Sequence, residues 1–214
     1  SLNRLLATHC PPAVVRETER TQRADALWTE IESSGFLDAL VAESAGGAGL
    51  GLRGGFELML LCGRHAVPMP LAQTLWLRAV LAGAGVTSPA GALTMAPHGR
   101  VAEDGSIHCQ ALPFGAVADW ALLPLTEGAL LLPLAAAERR PTGVHGSLQA
   151  HLRWSKRPET AIALQGDVAW LEAGALMTAV LMAGAMQKVL EATLVYANDR
   201  AQFAELEVQG ELTK

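Results

Sequence analysis

Charge is scarce in this chain: Lys, Arg, Asp and Glu make up 17% of its 214 residues, and no basic run occurs. With a net charge of −5, it lacks the electrostatic footprint that nucleic acid requires, so no nucleic-acid partner is expected. Aromatic residues are rarer still, at 5%. Together with the abundance of Ala and Leu, this favours helices over an aromatic-rich β-sandwich. The three cysteines, Cys10, Cys62 and Cys109, form no CxxC pair. Such sparse, odd usage points to free thiols in a reducing compartment. The six histidines, His9, His65, His98, His108, His145 and His151, show no HxxxH or HExxH spacing. No metal centre is therefore expected. GxSxG is missing as well, which leaves a hydrolase triad without its anchor. The first residues lack the long apolar core of a secretory signal. The longest apolar run, Ala173 to Met186, falls short of the roughly 20 residues that cross a bilayer. The expectation is a cytoplasmic protein with no membrane span.

Half of the residues are hydrophobic, enough to rule out a disordered chain and to fill a core. The pattern divides into three regions and predicts an α+β protein. Residues 1–88 read as an N-terminal helical domain. Apolar positions Ala24, Leu27, Trp28 and Ile31 share one helical face, and Gly35 suits the cap that follows. A short helix is predicted over Phe36 to Val41, then a glycine loop from Gly46 to Gly55. Two further helices are predicted over Phe56 to His65 and Leu71 to Ala84, separated by Pro68 and Pro70.

Residues 89–166 read as a small antiparallel β-domain. Ala121 to Leu125 and Ala129 to Leu134 flank the turn Thr126-Glu127-Gly128 as a hairpin. Ser106 to Leu112, Leu148 to Trp154 and Thr160 to Leu164 are further strand candidates. Residues 167–214 read as the start of a C-terminal helical domain, an incomplete four-helix bundle. A single helix is predicted from Asp167 to Phe203, on the order of 50 Å long. It is apolar nearly all round and must be covered by other helices. Residues 1–166 offer too little helical surface for that.

Gly49-Leu50-Gly51-Leu52-Arg53-Gly54 matches GxGxxG literally. A dinucleotide fold needs a buried strand before it and an acidic residue about 20 positions later. Leu37 to Ala42 is a poor strand and position 74 is Thr, so the motif reads as a loop joining helices. Arg139-Arg140 and Lys156-Arg157 are short basic pairs of the kind that fork onto phosphate oxygens, or that simply sit in solvated turns. Arg200 lies near the end of the long helix, where a cation suits the helix dipole.

Taken in order, several segments resemble the acyl-CoA dehydrogenase family. Leu27-Trp28-Thr29-Glu30 with Gly35-Phe36 resembles its N-terminal helix. Glu43-Ser44-Ala45-Gly46-Gly47-Ala48-Gly49-Leu50 is similar to its glycine loop, and Pro68-Met69-Pro70-Leu71 to the proline-led entry of the next helix. Ala118-Asp119-Trp120-Ala121-Leu122-Leu123 resembles a strand of its middle domain. Arg200-Ala201-Gln202-Phe203 resembles the ending of the first helix of its C-terminal bundle.

The resemblance implies a flavoprotein of fatty acid metabolism that binds FAD between the β-domain and the bundle. It implies α,β-dehydrogenation of an acyl-CoA thioester with hydride transfer to FAD. It also implies a homo- or hetero-oligomer formed through the long helix. Arg200 and Gln202 would contact FAD phosphate or adenine groups across a subunit interface, with Phe203 beside them. Thr94, in Leu93-Thr94-Met95-Ala96, would meet the flavin. The family's T-E-x-x-x-G-S-D segment is not recognisable, Ala204 replaces the glycine after Phe203, and the usual catalytic glutamate has no counterpart. A base carried on the long helix would fall near Gly174. Glu172, two residues away, is turned by about 200°. The catalytic residue is thus left open. Two alternatives remain: a non-catalytic partner subunit of such an enzyme, or a flavin-free helical scaffold.

Overall fold

The computed structural model describes residues 1–125, 128–166 and 168–211, with side chains described as far as Arg200. Five helices come first: α1 (Leu2–His9), α2 (Pro12–Thr21), α3 (Asp25–Ser33), α4 (Leu52–Arg64) and α5 (Leu71–Gly83). Pro11 and Pro12 stop α1 and open α2, where a missing N–H costs nothing in the first turn. Leu2, Leu6, Leu27, Ile31, Leu71, Leu75, Leu77 and Leu81 form a shared core. The predicted short helix is a single 3₁₀ turn, Phe36–Asp38. Arg78 of α5, largely buried, grips that turn through both Asp38 carboxylate oxygens at 3.2 Å.

Eight strands follow, in two sheets. One sheet joins β1 (Leu93–Met95), β4 (Trp120–Pro124), β5 (Ala129–Pro133) and β8 (Ile162–Leu164), in the order β1-β4-β5-β8. The other joins β2 (Arg100–Val101), β3 (Ile107–Leu112), β7 (Ala150–Trp154) and β6 (Glu138–Pro141), in the order β2-β3-β7-β6. The predicted hairpin is present, with Leu122 opposite Leu131; its turn residues Thr126 and Glu127 lie outside the described residues. The domain departs from the antiparallel expectation at one edge, where β1 runs parallel to β4.

The first sheet is covered on both faces. Leu122 and Leu131 join the helical core, while Ala121, Leu123, Leu130 and Leu132 face the second sheet. Burial on both sides accounts for runs of Ala and Leu without alternation. The second sheet alternates instead: Ile107, Cys109, Leu152 and Trp154 point inward, and the residues between them point out. Trp154 is fully buried, and its indole N–H donates to the Pro133 carbonyl at 2.9 Å, tying the sheets together.

The long helix α6 runs over Trp170–Glu211. Trp170 packs edge-on to Trp76, with centroids 5.7 Å apart. Where α6 crosses α4, the backbones touch at glycine on both sides. A Cβ on Gly63 would collide with the Leu181 carbonyl, and one on Gly184 with the Leu60 carbonyl. Beyond the crossing, Arg64 holds Glu191 through two parallel bonds of 2.5 and 2.7 Å. From Ala185 to Arg200 every residue is exposed, Met186, Leu190, Leu194 and Tyr196 among them. Trp170–Arg200 is long and apolar enough to cross a bilayer by length and composition alone, which the short apolar run within it had not suggested. Here its buried face packs on α4 instead.

The Arg64 bonds hold the Glu191 carboxyl below its ordinary range. A carboxyl whose folded pKa is depressed stabilises the fold above the unfolded pKa and ceases to do so as pH falls through the folded value. Glu191→Gln should therefore lower the urea midpoint at neutral pH, and the difference from wild type should shrink as pH falls below the ordinary carboxylate range and vanish once the folded carboxyl is protonated. A difference that persists unchanged in acid would contradict this role.

Candidate flavin cleft

A cleft of about 500 Å³ opens where the three regions meet. One wall is the α4–α5 linker with the start of α5, including Ala66, Met69 and Gln73. The opposite wall is Pro113 and Phe114 from the β3–β4 connection, with Leu148 and Gln149 ahead of β7. α6 closes the third side with Leu181, Met182 and Ala185.

The walls carry stored backbone strain. Ala66 and Phe114 line the cleft with φ of 47° and 55°, and Ala111, three residues before Phe114, has φ of 47°. Left-handed backbone at a residue with a Cβ costs roughly 1–3 kcal/mol and tends to gather at functional sites. Pro68 and Pro70 stiffen the linker that carries Ala66.

Thr94 sits directly behind this surface, completely buried. Its hydroxyl lies 2.5 Å from Gln73 Oε1 and 2.6 Å from the Pro113 carbonyl. The Met95 N–H also donates to Gln73 Oε1, at 3.2 Å. The Gln73 amide oxygen is thus engaged behind the wall, and Gln73 itself lines the cleft. Thr94 thus braces both walls rather than facing the space between them.

The other residues singled out by sequence lie elsewhere. Arg200 is nine residues past Glu191, about 14 Å further along the helix, with its guanidinium 5.1 Å from the Tyr196 ring centroid. It does not approach the cleft of its own chain. The side chains of Gln202 and Phe203 lie outside the described residues. Glu172 is exposed, and a Cβ on Gly174 would meet the Met95 methyl at 3.1 Å. The GxGxxG stretch is half loop and half helix: Gly49 to Gly51 end a self-bonded loop, and Leu52 to Gly54 are the first turn of α4. The N–H groups of Gly47, Ala48, Gly49 and Leu50 donate to the carbonyls of Ala42, Asp38, Val41 and Ala39. The N–H groups of Leu52, Arg53 and Gly54 open α4, and no strand precedes the stretch among the described residues, as a dinucleotide loop would require.

The surface of the cleft is largely apolar, with the Gln73 and Gln149 amides among its few polar groups. Among the described residues that line it, Glu19 alone is charged. Cys62 also lines the cleft, and burial pushes its thiol up to about 12; burial likewise raises Cys10 and Cys109 to about 11. All three should stay silent toward a thiol-disulfide reagent at about pH 8 and react only when the chain unfolds. Rapid labelling of the native chain would contradict this burial.

No sequence-family model and no curated protein matches the chain. Solved structures do. The ChsE4-ChsE5 complex from Mycobacterium tuberculosis superposes with a TM-score of 0.67 at 19% identity, over 92% of this chain and 64% of that one. The Tcur3481-Tcur3483 steroid ACAD, an acyl-CoA dehydrogenase, gives 0.67 at 23% identity, over 91% and 64%. The dibenzothiophene monooxygenase TdsC from Paenibacillus sp. A11-2 gives 0.64 at 17% identity, over 92% and 63%. The fold is that of the acyl-CoA dehydrogenases. The chain spans just under two thirds of the length of these structures. TdsC has also been solved with FMN and indole, and that complex superposes with a TM-score of 0.59.

Gln73, Pro113 and Phe114 were not among the residues singled out by sequence. Gln73 lies on a helix face like any other, and left-handed backbone at Ala66 or Phe114 leaves no mark in residue type. The Pro68-Met69-Pro70 segment was the one visible sign, and it proved to be a cleft wall.

Proposed function

We propose that this chain is an acyl-CoA dehydrogenase-like flavoprotein that oxidises an acyl-CoA thioester at its α,β bond with FAD. The observation that carries this reading is the strained, apolar cleft between the β-domain and α6, within a fold shared with such enzymes. Bound there, a flavin supplies a hydride acceptor. The chain's own residues perform the holding. Thr94 holds Gln73 and the Pro113 carbonyl in place, Gln73 would offer its amide to a bound flavin, and the α4–α6 crossing keeps Leu181 and Ala185 on the cleft's third side. Arg200, Gln202 and Phe203 are assigned to the FAD of a neighbouring subunit, because α6 carries Arg200 away from its own cleft. The exposed apolar length of α6 is assigned to the same oligomeric contact.

A second reading, that of a non-catalytic partner subunit, draws support from the same cleft. Among the described residues lining it, Glu19 is the one carboxylate, and it is exposed rather than buried as a tuned base requires. The ChsE4-ChsE5 neighbour is itself a complex of two chains. Anaerobic mixing of the FAD-loaded chain with acyl-CoA separates the two readings. Bleaching of the flavin supports dehydrogenation by this chain. A loaded chain that never bleaches, over a series of acyl lengths, supports the partner-subunit reading and overturns the first.

A further inference from the structure

The outer face of the second sheet holds polar side chains that the flavin cleft does not use. β3 contributes His108 and Gln110, β7 contributes His151 and Arg153, and β6 contributes Glu138 and Arg140, around a groove of about 360 Å³. Register places Glu138 opposite Arg153 and Arg140 opposite His151. Arg153 and Glu138 satisfy each other at 3.3 Å. The Arg139-Arg140 doublet divides its labour. Arg139 turns back to donate to the Ala116 and Ala118 carbonyls at 3.0 and 3.3 Å. Arg140 faces the groove with no ion-pair partner among the described residues.

His151 is held in one protonation pattern by the backbone. β3 bulges between Cys109 and Leu112, and the left-handed Ala111 within the bulge donates its N–H to His151 Nδ1 at 3.2 Å. A ring nitrogen that accepts carries no proton, so this hydrogen bond assigns the ring proton to Nε2 as a donor. His108 is committed elsewhere: its Nε2 lies 2.9 Å from the Ser106 hydroxyl, which is 2.6 Å from Asp104. That arrangement closes the acidic end of the sheet. What remains in the groove is one uncommitted guanidinium beside two further donors, the His151 imidazole and the Gln110 amide.

We propose that this groove binds a phosphate group. Arg140 would fork onto two of its oxygens, with His151 Nε2–H and the Gln110 amide donating to the others. This proposal is independent of the flavin reading, because the groove and the cleft share no lining residue. Inorganic pyrophosphate titrated into the full chain at low salt, followed by amide chemical shifts, tests it. Shifts should centre on Ala111, Gln110 and His151. Arg140→Ala should weaken binding about tenfold or more and Arg140→Lys by less, since lysine keeps the charge without the fork. Arg4→Ala, on the exposed side of α1, should change nothing. His151→Gln, which retains an acceptor for the Ala111 N–H and a donor outward, should bind better than His151→Leu. A parallel titration with ADP identifies the source: tighter binding than pyrophosphate marks a nucleotide, equal binding a free phosphate. Unchanged pyrophosphate affinity in Arg140→Ala, or shifts spread evenly over all cationic surfaces, would overturn the proposal.

Discussion

Replacing Gly184 with alanine is expected to destabilise the chain by about 1–2 kcal/mol net, read as a fall in the urea midpoint. Taken by itself, glycine to alanine inside a helix is favourable by about 1 kcal/mol. The added methyl would land on the Leu60 carbonyl oxygen, a backbone atom that moves only if the whole of α4 moves. Overpacking of this kind costs typically about 1–3 kcal/mol and sometimes more. The clash therefore outweighs the propensity gain. Gly63→Ala meets the Leu181 carbonyl in the same way. The two substitutions should be less than additive when combined, since one widening of the crossing relieves both. Gly83→Ala is the matched control. It lies at the end of α5 with nothing within 4 Å of the new methyl, and should leave stability unchanged or raise it by roughly 0.5–1 kcal/mol. A Gly184→Ala chain as stable as wild type would mean that α6 does not pack on α4 as described.

The second large effect is expected at Ala185. This residue is exposed on α6 and lines the cleft at the edge facing Met69 and Phe114. Ala185→Trp fills the opening with an indole while leaving the buried faces of α4 and α6 untouched. Flavin affinity should fall by about 100-fold, equivalent to roughly 2.7 kcal/mol, with no drop in the urea midpoint. A stability-neutral Ala185→Trp that still binds flavin at wild-type affinity would place the flavin somewhere other than this cleft.

The helices were legible because α3, α5 and the buried part of α4 each show one apolar face to a common core, and that periodicity survives in the residue string. The hairpin of β4 and β5 was legible from its turn. The strands lost to sequence were those without alternation or length. β1 spans three residues, all buried. β6 is Glu138–Pro141, wholly exposed, a string that looks like a solvated turn until β7 pairs with it. α6 was legible as an apolar helix in need of cover, and the structure leaves its far half exposed. The cleft was the least legible feature, because its walls come from three distant stretches and its distinguishing property is backbone conformation. Thr94 was singled out by resemblance, and its place behind Gln73 and Pro113 could not be read without the fold.

The central proposal is that the space between the β-domain and α6 holds a flavin ring. Titration of the purified full chain into riboflavin, FMN and FAD, followed by quenching of flavin fluorescence, tests it most directly. The account predicts saturable binding at one ring per chain for all three, lost for all three in Ala185→Trp. Absence of saturable quenching up to about 1 mM, an affinity worth only about 4 kcal/mol, would contradict it.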